Sequence, residues 1–573
     1  MNPLLQVDIY KVSHEGFMPK GTNKIYANFT PRSSKYLPVL KDRYDDKVVV
    51  FSIQHFTKDF LIKAFNEEFF NKPKDKVIDY FKRIMCAHLG VDAVDTTRFE
   101  ALHDLGYLPI EIKALPEGSL VNIKVPVLTI TNTHPDYAWL TNYLETVMSQ
   151  ELWKPMTTAT IIREYRKLVN EFALKTTGSL AGTEFQLHDF SARGLSGRHD
   201  SAINGVAFLL SSNGTDTIAA VEVAEKSYNA DVTKEFIGCS IPASEHSVSC
   251  LGTAVDGELE SYRKWITKDY PTGLVSLVSD TYDYWKVLTE YLPALKADIL
   301  ARPVNAIGLS KVVIRPDSGN PADIICGKTN ALVYDSLDDA KEDLQAEASE
   351  YLSDSIFEED VEYTIYNKED NKYYCLLFKG EIIKERGSYS DHNYYTLDKT
   401  YLSRCDQIEL SPEQKGSIEL LWETFGGTVT EQGYKVLDSH IGLIYGDSIT
   451  LEVAEEVFKR LEAKGFASTN VVFGVGSYTM QYLTRDSLGL AVKATYAEVC
   501  GVGYELFKDP ITDSGMKKSA KGLLRVEQEG SNFVLYDQQT KEQEQQGALQ
   551  TVFKDGKLVT ETSLTEIRNR LWG

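Results

Sequence analysis

The sequence predicts an α/β protein whose central domain is a closed β/α barrel. Between Phe185 and Leu523, short apolar runs of β type alternate with polar residues and helix-like stretches. Strands that alternate with helices form a parallel sheet. The apolar runs also end in side chains that carry chemistry, as the strands of a barrel do where their loops build an active site. An open, doubly wound sheet would show the same alternation and is the alternative.

The apolar runs define the predicted barrel strands. They are Phe185–Leu187, Val206–Leu210, Gly238–Pro242, Leu274–Val278, Lys311–Ile314, Gly442–Tyr445 and Val471–Phe473. The clearest helix between them is Leu451–Lys464, because its apolar residues recur on one face and Gly465 follows as a natural stop.

Three further regions surround the predicted barrel, which spans residues 185–328 and 412–523. Residues 1–184 mix strands and helices and are predicted to pack beside it as an accessory α+β region. Residues 329–411 are acidic and then strand-like. A structureless loop of that length is rare in a compact domain, so we expect a small inserted subdomain of a helix and a hairpin. Residues 524–573 are predicted to form an α+β cap.

The composition is that of an ordinary globular enzyme. No stretch reaches the ~20 apolar residues that a membrane-spanning helix needs, and the first residues lack the basic-then-apolar order of a secretion signal. The seven cysteines are scattered and form no CxxC pair. This spacing argues against a zinc ribbon, an iron–sulfur site and a disulfide framework. We therefore expect a cytoplasmic protein without a membrane partner.

The net charge of −22 disfavours a nucleic-acid partner, because phosphate backbones repel such a field. It does not exclude a small phosphorylated ligand, which a local cluster of Arg, Lys and backbone N–H groups can hold.

The segment KVVIRPDSGNP is the most informative motif. The guanidinium of Arg315 offers a two-pronged donor for phosphate oxygens. The carboxylate of Asp317, two residues on, suits ribose hydroxyls or magnesium. The alternative is a buried ion pair that closes a barrel loop.

Two glycine-containing loops follow predicted strands. Gly474 and Gly476 precede a helix that is expected to begin near Tyr478, and Gly446 precedes Asp447. Glycines let backbone N–H groups approach an anion at such a junction. Tight turns without a ligand also use glycine, so both interpretations remain open here.

His246 follows the predicted strand Gly238–Pro242 and is a candidate proton or phosphoryl acceptor near neutral pH. Glu245 and Asp280 are carboxylates that would orient its imidazole. The alternative is a histidine with a purely structural hydrogen bond. The sequence contains no GxSxG elbow and no HExxH motif, so a hydrolase has little support.

The remaining candidates lie at both ends of the predicted barrel sequence. Asp216 follows Gly214-Thr215, and Phe190 with Arg193 lies in HDFSARG, where the ring would either stack on a flat substrate or pack in the core. Basic residues gather later, at Arg485, Lys493, Lys508, Lys517, Lys518 and Lys521. They form either a solvated face or a cover for pyrophosphate.

Ten of these motifs together resemble a known family. DIYKVSH, HDFSARG, GTDT, SIPASEHS, SLVSDTYD, IRPDSGNP, YGD, FGVGS, LTRD and FKDP occur in the order typical of nicotinamide phosphoribosyltransferases, in the nicotinate/nicotinamide branch of the type II phosphoribosyltransferases. The resemblance covers most of the chain outside 329–411 and the C-terminal cap. It implies an irregular β/α barrel and a homodimer with shared active sites.

The resemblance also implies a reaction. Nicotinamide and phosphoribosyl pyrophosphate would give nicotinamide mononucleotide and pyrophosphate, in NAD biosynthesis or salvage, with Mg²⁺ as cofactor and ATP as co-substrate. His246 is similar to the phosphorylated histidine through which such enzymes couple ATP hydrolysis to product formation, and Glu245 and Asp280 would support it. No metal ligands are assigned.

Substrate roles follow from the resemblance by position. Asp8 and Tyr10 would come from the partner subunit, with the pyridine ring between Tyr10 and Phe190, and Asp216 would accept the carboxamide N–H. Arg193 and Arg315 would contact phosphate. The ribose would be held by Asp317, Gly446 and Asp447. The 5′-phosphate would be bound by Gly476 and Ser477, together with Arg485 and Lys493 of the partner subunit. Ser276, Lys508 and Lys517 would complete the site, with Lys518 as the alternative to Lys517.

Departures from the family pattern concern the short GVGS loop with Ser477, Ala491 where a hydroxyl is frequent, and the insert, which the compared family members lack. Two other functions remain as alternatives. A nicotinate phosphoribosyltransferase would have the same fold, but the carboxylate of Asp216 would repel nicotinate. A catalytically silent protein that binds NAD precursors would not need His246, Arg315 and Asp317 together.

Overall fold

The computed structural model describes residues 1–328, 331–354, 360–386, 393–446, 449–509 and 519–573. Three residues of the predicted site, Asp447, Lys517 and Lys518, lie outside this part of the chain.

The N-terminal region combines short strands with one very long helix. Its elements are α1 (His14–Phe17), β1 (Thr22–Thr30), β2 (Lys47–Val49), α2 (Ile53–Phe56), α3 (Lys74–Leu89), α4 (Thr97–Leu105), β3 (Ile110–Ala114), β4 (Leu120–Asn122), β5 (Leu128–Asn132), α5 (Trp139–Tyr143) and α6 (Glu145–Thr177). After α2 the chain continues in π-helical geometry over Thr57–Ala64.

The central region begins with alternating strands and helices. They are β6 (Leu187–Asp189), α7 (Arg198–Leu209), β7 (Gly214–Thr215), α8 (Ile218–Tyr228), α9 (His246–Asp256), α10 (Glu258–Lys264), β8 (Gly273–Val278), α11 (Tyr284–Lys286), α12 (Leu292–Leu300), β9 (Ser310–Arg315) and α13 (Pro321–Cys326). The insert follows with β10 (Leu332–Tyr334), α14 (Leu337–Asp354), β11 (Asp360–Asn367), β12 (Lys372–Arg386) and β13 (Asn393–Ile408).

The central region then resumes and the chain returns to the accessory sheet. The elements are α15 (Pro412–Lys415), α16 (Ser417–Phe425), β14 (Gly427–Val429), β15 (Lys435–Leu437), β16 (Ile441–Tyr445), α17 (Leu451–Ala463), β17 (Val471–Val475) and α18 (Ser477–Gln481). They are followed by β18 (Ala491–Val499), β19 (Val502–Glu505), β20 (Leu523–Glu529), β21 (Asn532–Gln539), α19 (Lys541–Glu544), β22 (Gln550–Lys554), β23 (Lys557–Leu558) and α20 (Leu564–Trp572).

The central sheet is parallel and closes on itself. Its order is β7-β6-β17-β16-β9-β8. Except for the pair β7 and β8, strands that follow each other along the chain are neighbours in this sheet, and β17, the last of them in the chain, pairs with β6, the first. The two edges meet through residues 239–244. Cys239 bridges Gly214 of β7, and Ala243 bridges Ser276 of β8. The irregular β/α barrel is therefore confirmed, and the open doubly wound sheet is wrong.

One predicted strand is a helix. Val206–Leu210 falls at the end of α7, and the strand that precedes Asp216 is the two-residue β7. This end of the helix is buried all round, since Val206, Ala207, Phe208 and Leu209 are all 0% exposed. A short apolar run fits a buried helix as well as a buried strand, which explains the error.

A second sheet joins distant parts of the chain. Its order is β19-β18-β1-β5-β3-β22-β23, and all its described pairings are antiparallel. It unites the N-terminal region with β18 and with the C-terminal hairpin, which the sequence patterns placed in different regions. The division of the chain at residues 184, 328, 411 and 523 stays a prediction.

The insert contains the predicted helix and hairpin within a larger sheet. β11, β12 and β13 form an antiparallel meander, and β10 pairs in parallel with β11. Leu344 of α14 packs with Ile365 and Phe378 in a separate small core. The Tyr373 hydroxyl donates to both carboxylate oxygens of Glu419 on α16, at 2.8 and 2.9 Å, and so ties the insert to the barrel.

Among the helices in the described part of the chain, none combines the length and the apolar character that a bilayer span requires.

Candidate functional site

The residues predicted from the motifs follow the carboxyl ends of the barrel strands. Phe190 and Arg193 follow β6, Asp216 follows β7, Glu245 and His246 follow the 239–244 segment, Asp280 follows β8, Asp317 follows β9, Gly446 follows β16, and Gly476 and Ser477 follow β17. Because these strands are parallel, their carboxyl ends lie at one mouth of the barrel, which is where barrels place active sites.

His246 lies between two carboxylates at this mouth. Its Nε2 is 3.8 Å from Asp280 Oδ1 and 3.8 Å from Asp317 Oδ2. Its Nδ1 is 3.3 Å from the hydroxyl of Thr281. The imidazole is 49% exposed, whereas the Asp280 side chain is 5% exposed. His246 also begins α9, so a negative group attached to it would face the positive end of the helix dipole.

Asp280 joins this histidine to the RPDS loop. Its Oδ2 accepts the backbone N–H of Asp317 at 2.9 Å and the hydroxyl of Ser318 at 2.5 Å. Its Oδ1 is buried and has no hydrogen-bond partner among the described residues. A buried acceptor without a donor is costly. The arrangement therefore leaves one oxygen for a proton donor or a cation at the mouth.

Arg315 and Asp317 form the ion pair that the alternative interpretation proposed. Arg315 Nε lies 3.5 Å from Asp317 Oδ1, and its Nη2 donates to the Ser244 carbonyl at 3.0 Å. Gly446 packs directly on this pair, because a Cβ there would lie 1.6 Å from Asp317 Oδ1. The phosphate and ribose roles of these residues stay predictions.

Asp216 is held by two donors, one of which, His188, lies beside the Phe190 ring. Its Oδ1 is 2.8 Å from His188 Nε2 and accepts the hydroxyl of Ser240. Burial raises the pKa of Asp216, but the hydrogen bonds from His188 and Ser240 and the charge of Arg315 outweigh it, so the pKa lies below its usual value. Oδ2 accepts no hydrogen bond from the described residues. The His188 ring lies 4.6 Å from that of Phe190.

Sequence reasoning missed three residues of this mouth: His188, Ser240 and Thr281. His188 opens the HDFSARG motif, and strand alternation alone would have pointed it away from the buried Asp189. Thr281 directly follows Asp280. The contact of Ser240 with Asp216 joins two different loops, and no spacing in the sequence signals it.

The glycine loop after β17 is shaped by close packing. A Cβ at Gly474 would lie 2.6 Å from the Gly446 carbonyl oxygen, so the ends of β16 and β17 require glycine. Gly476 is the residue before α18 and Ser477 its first residue. A Cβ at Gly194 would lie 2.1 Å from Ser477 Oγ. The exposed Arg193 is therefore carried next to this loop.

Glu245 and Ser276 have other surroundings in the structure than the predicted roles would suggest. The Glu245 carboxylate accepts the hydroxyl of Ser247, while Asp280 and Asp317 are the carboxylates that face His246. Ser276 is buried in β8, and its hydroxyl has no partner among the described residues. The support of His246 by Glu245 stays a prediction.

A second group of predicted residues lies on the accessory region. Asp8 accepts the Thr146 hydroxyl at 2.8 Å, and Tyr10 is 55% exposed. Burial lowers the pKa of Lys493, the carboxylate of Glu145 raises it, and the charges of Arg32, Lys508 and Arg485 lower it again, to a value below the usual one. Several cations thus converge on Lys493, which is a setting that favours an anion.

The barrel mouth gathers a tightly packed glycine loop, a partly exposed Arg315–Asp317 ion pair and a histidine between two carboxylates. This arrangement suits a phosphoribosyltransferase of the β/α-barrel class. Comparison with known proteins supports the same class of enzyme. The chain matches the nicotinate phosphoribosyltransferase (NAPRTase) family over residues 185–366 and 403–557. On this match and on the relatives below, the chain belongs to that family and is a pentosyltransferase.

Two relatives match over nearly the whole chain. A nicotinamide phosphoribosyltransferase of Acinetobacter baylyi is 48% identical over 571 residues, which are 100% of this chain and 97% of the relative. One of Xanthomonas campestris is 29% identical over 577 residues, 99% of this chain and 97% of the relative. Among solved structures, nicotinate-nucleotide pyrophosphorylase from Pyrococcus furiosus aligns with a TM-score of 0.47 and 11% identity, over 99% of this chain and 94% of that one.

The first relative corrects one expectation about the insert. The alignment spans the whole chain, so residues 329–411 are not peculiar to this protein. The family match, by contrast, skips residues 367–402, which include most of the β12–β13 hairpin.

Proposed function

We propose that this chain transfers the phosphoribosyl group of phosphoribosyl pyrophosphate to nicotinamide and so supplies nicotinamide mononucleotide for NAD biosynthesis or salvage. The observation that carries the proposal is the carboxylate of Asp216, whose Oδ1 is held by His188 and Ser240 while Oδ2 accepts no hydrogen bond from the described residues. The ring of His188 lies 4.6 Å from that of Phe190. The two relatives, both named nicotinamide phosphoribosyltransferases, support the same substrate.

The state of Asp216 favours the amide over the acid. A pKa below the usual value keeps this carboxylate charged at neutral pH. A charged Oδ2 accepts an N–H of a carboxamide, whereas the carboxylate of nicotinate would meet a like charge in a partly dry site. A nicotinate phosphoribosyltransferase with this fold therefore remains the less favoured alternative.

The transfer itself needs positioning more than acid–base chemistry. The pyridine nitrogen forms a bond to C1′ of the ribose while the bond from C1′ to the pyrophosphate oxygen breaks, and the leaving group takes the electron pair. Asp317 and Gly446 would hold the ribose, and Arg193, Arg315 and Ser477 the phosphates. Holding both reactants in line and stabilising the leaving charge account for most of the expected acceleration.

The mouth also fits a magnesium ion. The buried Asp280 Oδ1, without a donor among the described residues, and the partly exposed carboxylate of Asp317 are the oxygen ligands that Mg²⁺ prefers. These residues would hold the ion, which when bound offsets the charge of the diphosphate.

His246 is proposed to couple ATP hydrolysis to the reaction. With the proton on Nε2, facing Asp280 and Asp317, the lone pair of Nδ1 is the nucleophile. Nδ1 forms a bond to the γ-phosphorus while the bond from that phosphorus to the ADP oxygen breaks. Water later cleaves the phosphoimidazole to phosphate and restores His246. The two carboxylates stabilise the cationic ring, and the N-terminus of α9 stabilises the phosphoryl group.

We further propose a cytoplasmic homodimer. The seven cysteines are all unpaired, which suits a reducing compartment. Lys493 lies on β18 of the accessory sheet, and its electrostatic neighbours are Glu145, Arg32, Lys508 and Arg485. A partner subunit would bring such a cation cluster, with Tyr10, to the mouth of this one.

Turnover by the purified protein tests the proposed function. With phosphoribosyl pyrophosphate and Mg²⁺, we expect mononucleotide from nicotinamide at a kcat/KM at least about a hundredfold above that for nicotinate, and a further gain with ATP. Separation of the products by chromatography measures both. A preference for nicotinate would establish the alternative enzyme, and binding without turnover would establish a silent binding protein.

The dimer proposal predicts complementation. Tyr10→Ala and His246→Ala homodimers should each be impaired, because each lacks one contribution to every site. After subunit exchange, a heterodimer has one site with both residues intact, so a mixture should regain up to about a quarter of the wild-type ATP-stimulated activity by random pairing. Exchange is followed with two differently labelled chains. No recovery after proven exchange would mean that each site is built within one chain.

A further inference from the structure

A group of side chains outside the barrel mouth has the composition of a metal site. His55 lies on α2, Asp59 on the π-helical continuation of α2, and His199 in the first turn of α7. One donor atom of each lies within 4.8 Å of those of the other two. The rings of His55 and His199 are 5.5 Å apart and nearly parallel, at 30°. The group joins the accessory region to the barrel.

His55 supplies a buried nitrogen that lacks a partner. The residue is 4% exposed, and its Nε2 has no hydrogen-bond partner among the described residues. Its Nδ1 lies 2.8 Å from the Ser227 hydroxyl, which fixes the ring. A buried polar atom left unsatisfied is costly unless a ligand completes it.

The helix that carries His55 is itself anchored. The buried Glu117 accepts the backbone N–H groups of Ser52 at 3.0 Å and of Gln54 at 2.6 Å, at the start of α2. Gln54 also donates to the Ser227 carbonyl. The position of His55 is therefore fixed before any ligand arrives.

His199 has the outer partner that metal-binding histidines usually have. Its Nε2 is 2.8 Å from Glu151 Oε2, which leaves Nδ1 for a ligand. A carboxylate behind an imidazole fixes the ring and raises its basicity as a ligand. Asp59 is 3.6 Å from Lys63, an exposed i,i+4 pair that is weak and that a cation would displace.

We propose that His55, Asp59 and His199 bind one divalent transition-metal ion, with Zn²⁺ as the best fit. Two imidazole nitrogens, one carboxylate oxygen and an open fourth position form a typical zinc ligand set, whereas Mg²⁺ prefers oxygen alone. Tetrahedral ligands at ~2.0 Å from zinc lie about 3.3 Å apart. The three donor atoms lie within 4.8 Å of one another without an ion, so they must approach each other to bind zinc. The side chains of Asp59 and His199 are exposed enough to rotate inward, while His55 stays in place.

The ion would clamp the start of α7 to α2. The residue after His199, Asp200, accepts Lys154 Nζ at 2.6 Å and the backbone N–H of Ser196 at 2.8 Å. Ser196 closes the loop that carries Phe190 and Arg193 to the barrel mouth. The inference does not depend on which pyridine the enzyme uses.

Zinc binding to untagged, chelator-stripped protein tests the proposal. Equilibrium dialysis with Zn²⁺ and elemental analysis should give one tight zinc per chain in the wild type. His199→Gln and Asp59→Asn should each weaken binding by about a hundredfold or more, and Glu151→Gln by about 10–100-fold, as for other outer partners. Both replaced ligands are partly exposed, so the variants should fold.

Matched controls separate this site from other histidines. His134→Gln removes an exposed histidine 3.8 Å from Asp136, and His246→Gln removes the one at the barrel mouth. We expect zinc to raise the Tm of the wild type, because the ion binds the folded protein, and both control variants should bind zinc and show the same increase in Tm. Co²⁺ bound at the site should give visible absorption bands in the wild type and in both controls, but not in His199→Gln. The proposal is overturned if the wild type binds no zinc, or if His199→Gln and Asp59→Asn bind it as tightly as the wild type.

Discussion

Replacing Asp216 with Asn is expected to lower the preference for nicotinamide over nicotinate by about two orders of magnitude, as the ratio of the two kcat/KM values. The carboxylate of Asp216 is charged, since its pKa lies below the usual value, and its Oδ2 accepts no bond from the described residues. An asparagine amide donates a hydrogen bond to nicotinate and removes the like charge. A hydrogen bond to a charged group contributes ~1.5–3 kcal/mol, which corresponds to about 10–100-fold.

The measurement is steady-state kinetics with both substrates at saturating phosphoribosyl pyrophosphate. Asp231→Asn is a matched control, because Asp231 follows α8, at the opposite end of that helix from Asp216. Its partly exposed carboxylate accepts the Thr233 backbone N–H at 2.9 Å, and its replacement should leave the ratio unchanged. His188→Gln should shift the ratio in the same direction by a smaller factor, since it removes one of the two donors that hold Asp216. An unchanged ratio in Asp216→Asn would mean that this carboxylate does not face the ring substituent.

The barrel was predictable because its strands are short, apolar and buried on both faces. β8, β9, β16 and β17 all match predicted runs, and parallel strands covered by helices read as continuous apolar segments. The run Val206–Leu210 is equally apolar but helical, and only its neighbours in space decide between the two states. The local sequence pattern therefore predicts the order of the barrel elements better than it predicts whether each one is a strand or a helix.

The accessory sheet shows what sequence patterns miss. β1 pairs with β18, and β3 with β22, across several hundred residues of chain. Nothing local in a strand specifies a partner so distant, because cross-strand contacts form only in the folded molecule. Lys493, which lies on β18, was for this reason placed in the barrel by sequence and is found in the accessory sheet.

In the candidate site, too, the sequence predicts which motifs come together but not which side chains contact each other. Once the barrel closes, its parallel strands bring the motifs to one mouth, so their meeting was predictable from order alone. The partners of individual side chains were not. His188 and Ser240 hold Asp216, and Asp317 rather than Glu245 faces His246, through loops that begin on different strands.

Replacing His246 with Ala is expected to reduce ATP hydrolysis by about 10³-fold or more, since a covalent nucleophile has no substitute. Slow ATP-independent formation of mononucleotide should remain, because the imidazole need not touch the reacting ribose carbon. The wild type should carry acid-labile phosphate after brief exposure to ATP, and the mutant should not. Asp280→Asn should retain His246 but hydrolyse ATP more slowly, since it loses a carboxylate 3.8 Å from Nε2.

The decisive measurement is phosphate release from ATP alongside mononucleotide formation, in the wild type and in both variants. His134→Ala, which removes an exposed histidine outside the barrel mouth, serves as the matched control and should keep the two rates coupled. An unchanged Tm would establish that His246→Ala is folded. If that mutant still hydrolyses ATP in step with synthesis, the phosphohistidine role is wrong. His246 would then act as a binding residue whose contacts with Asp280 and Asp317 order the mouth, and the loss would fall on KM instead of on coupling.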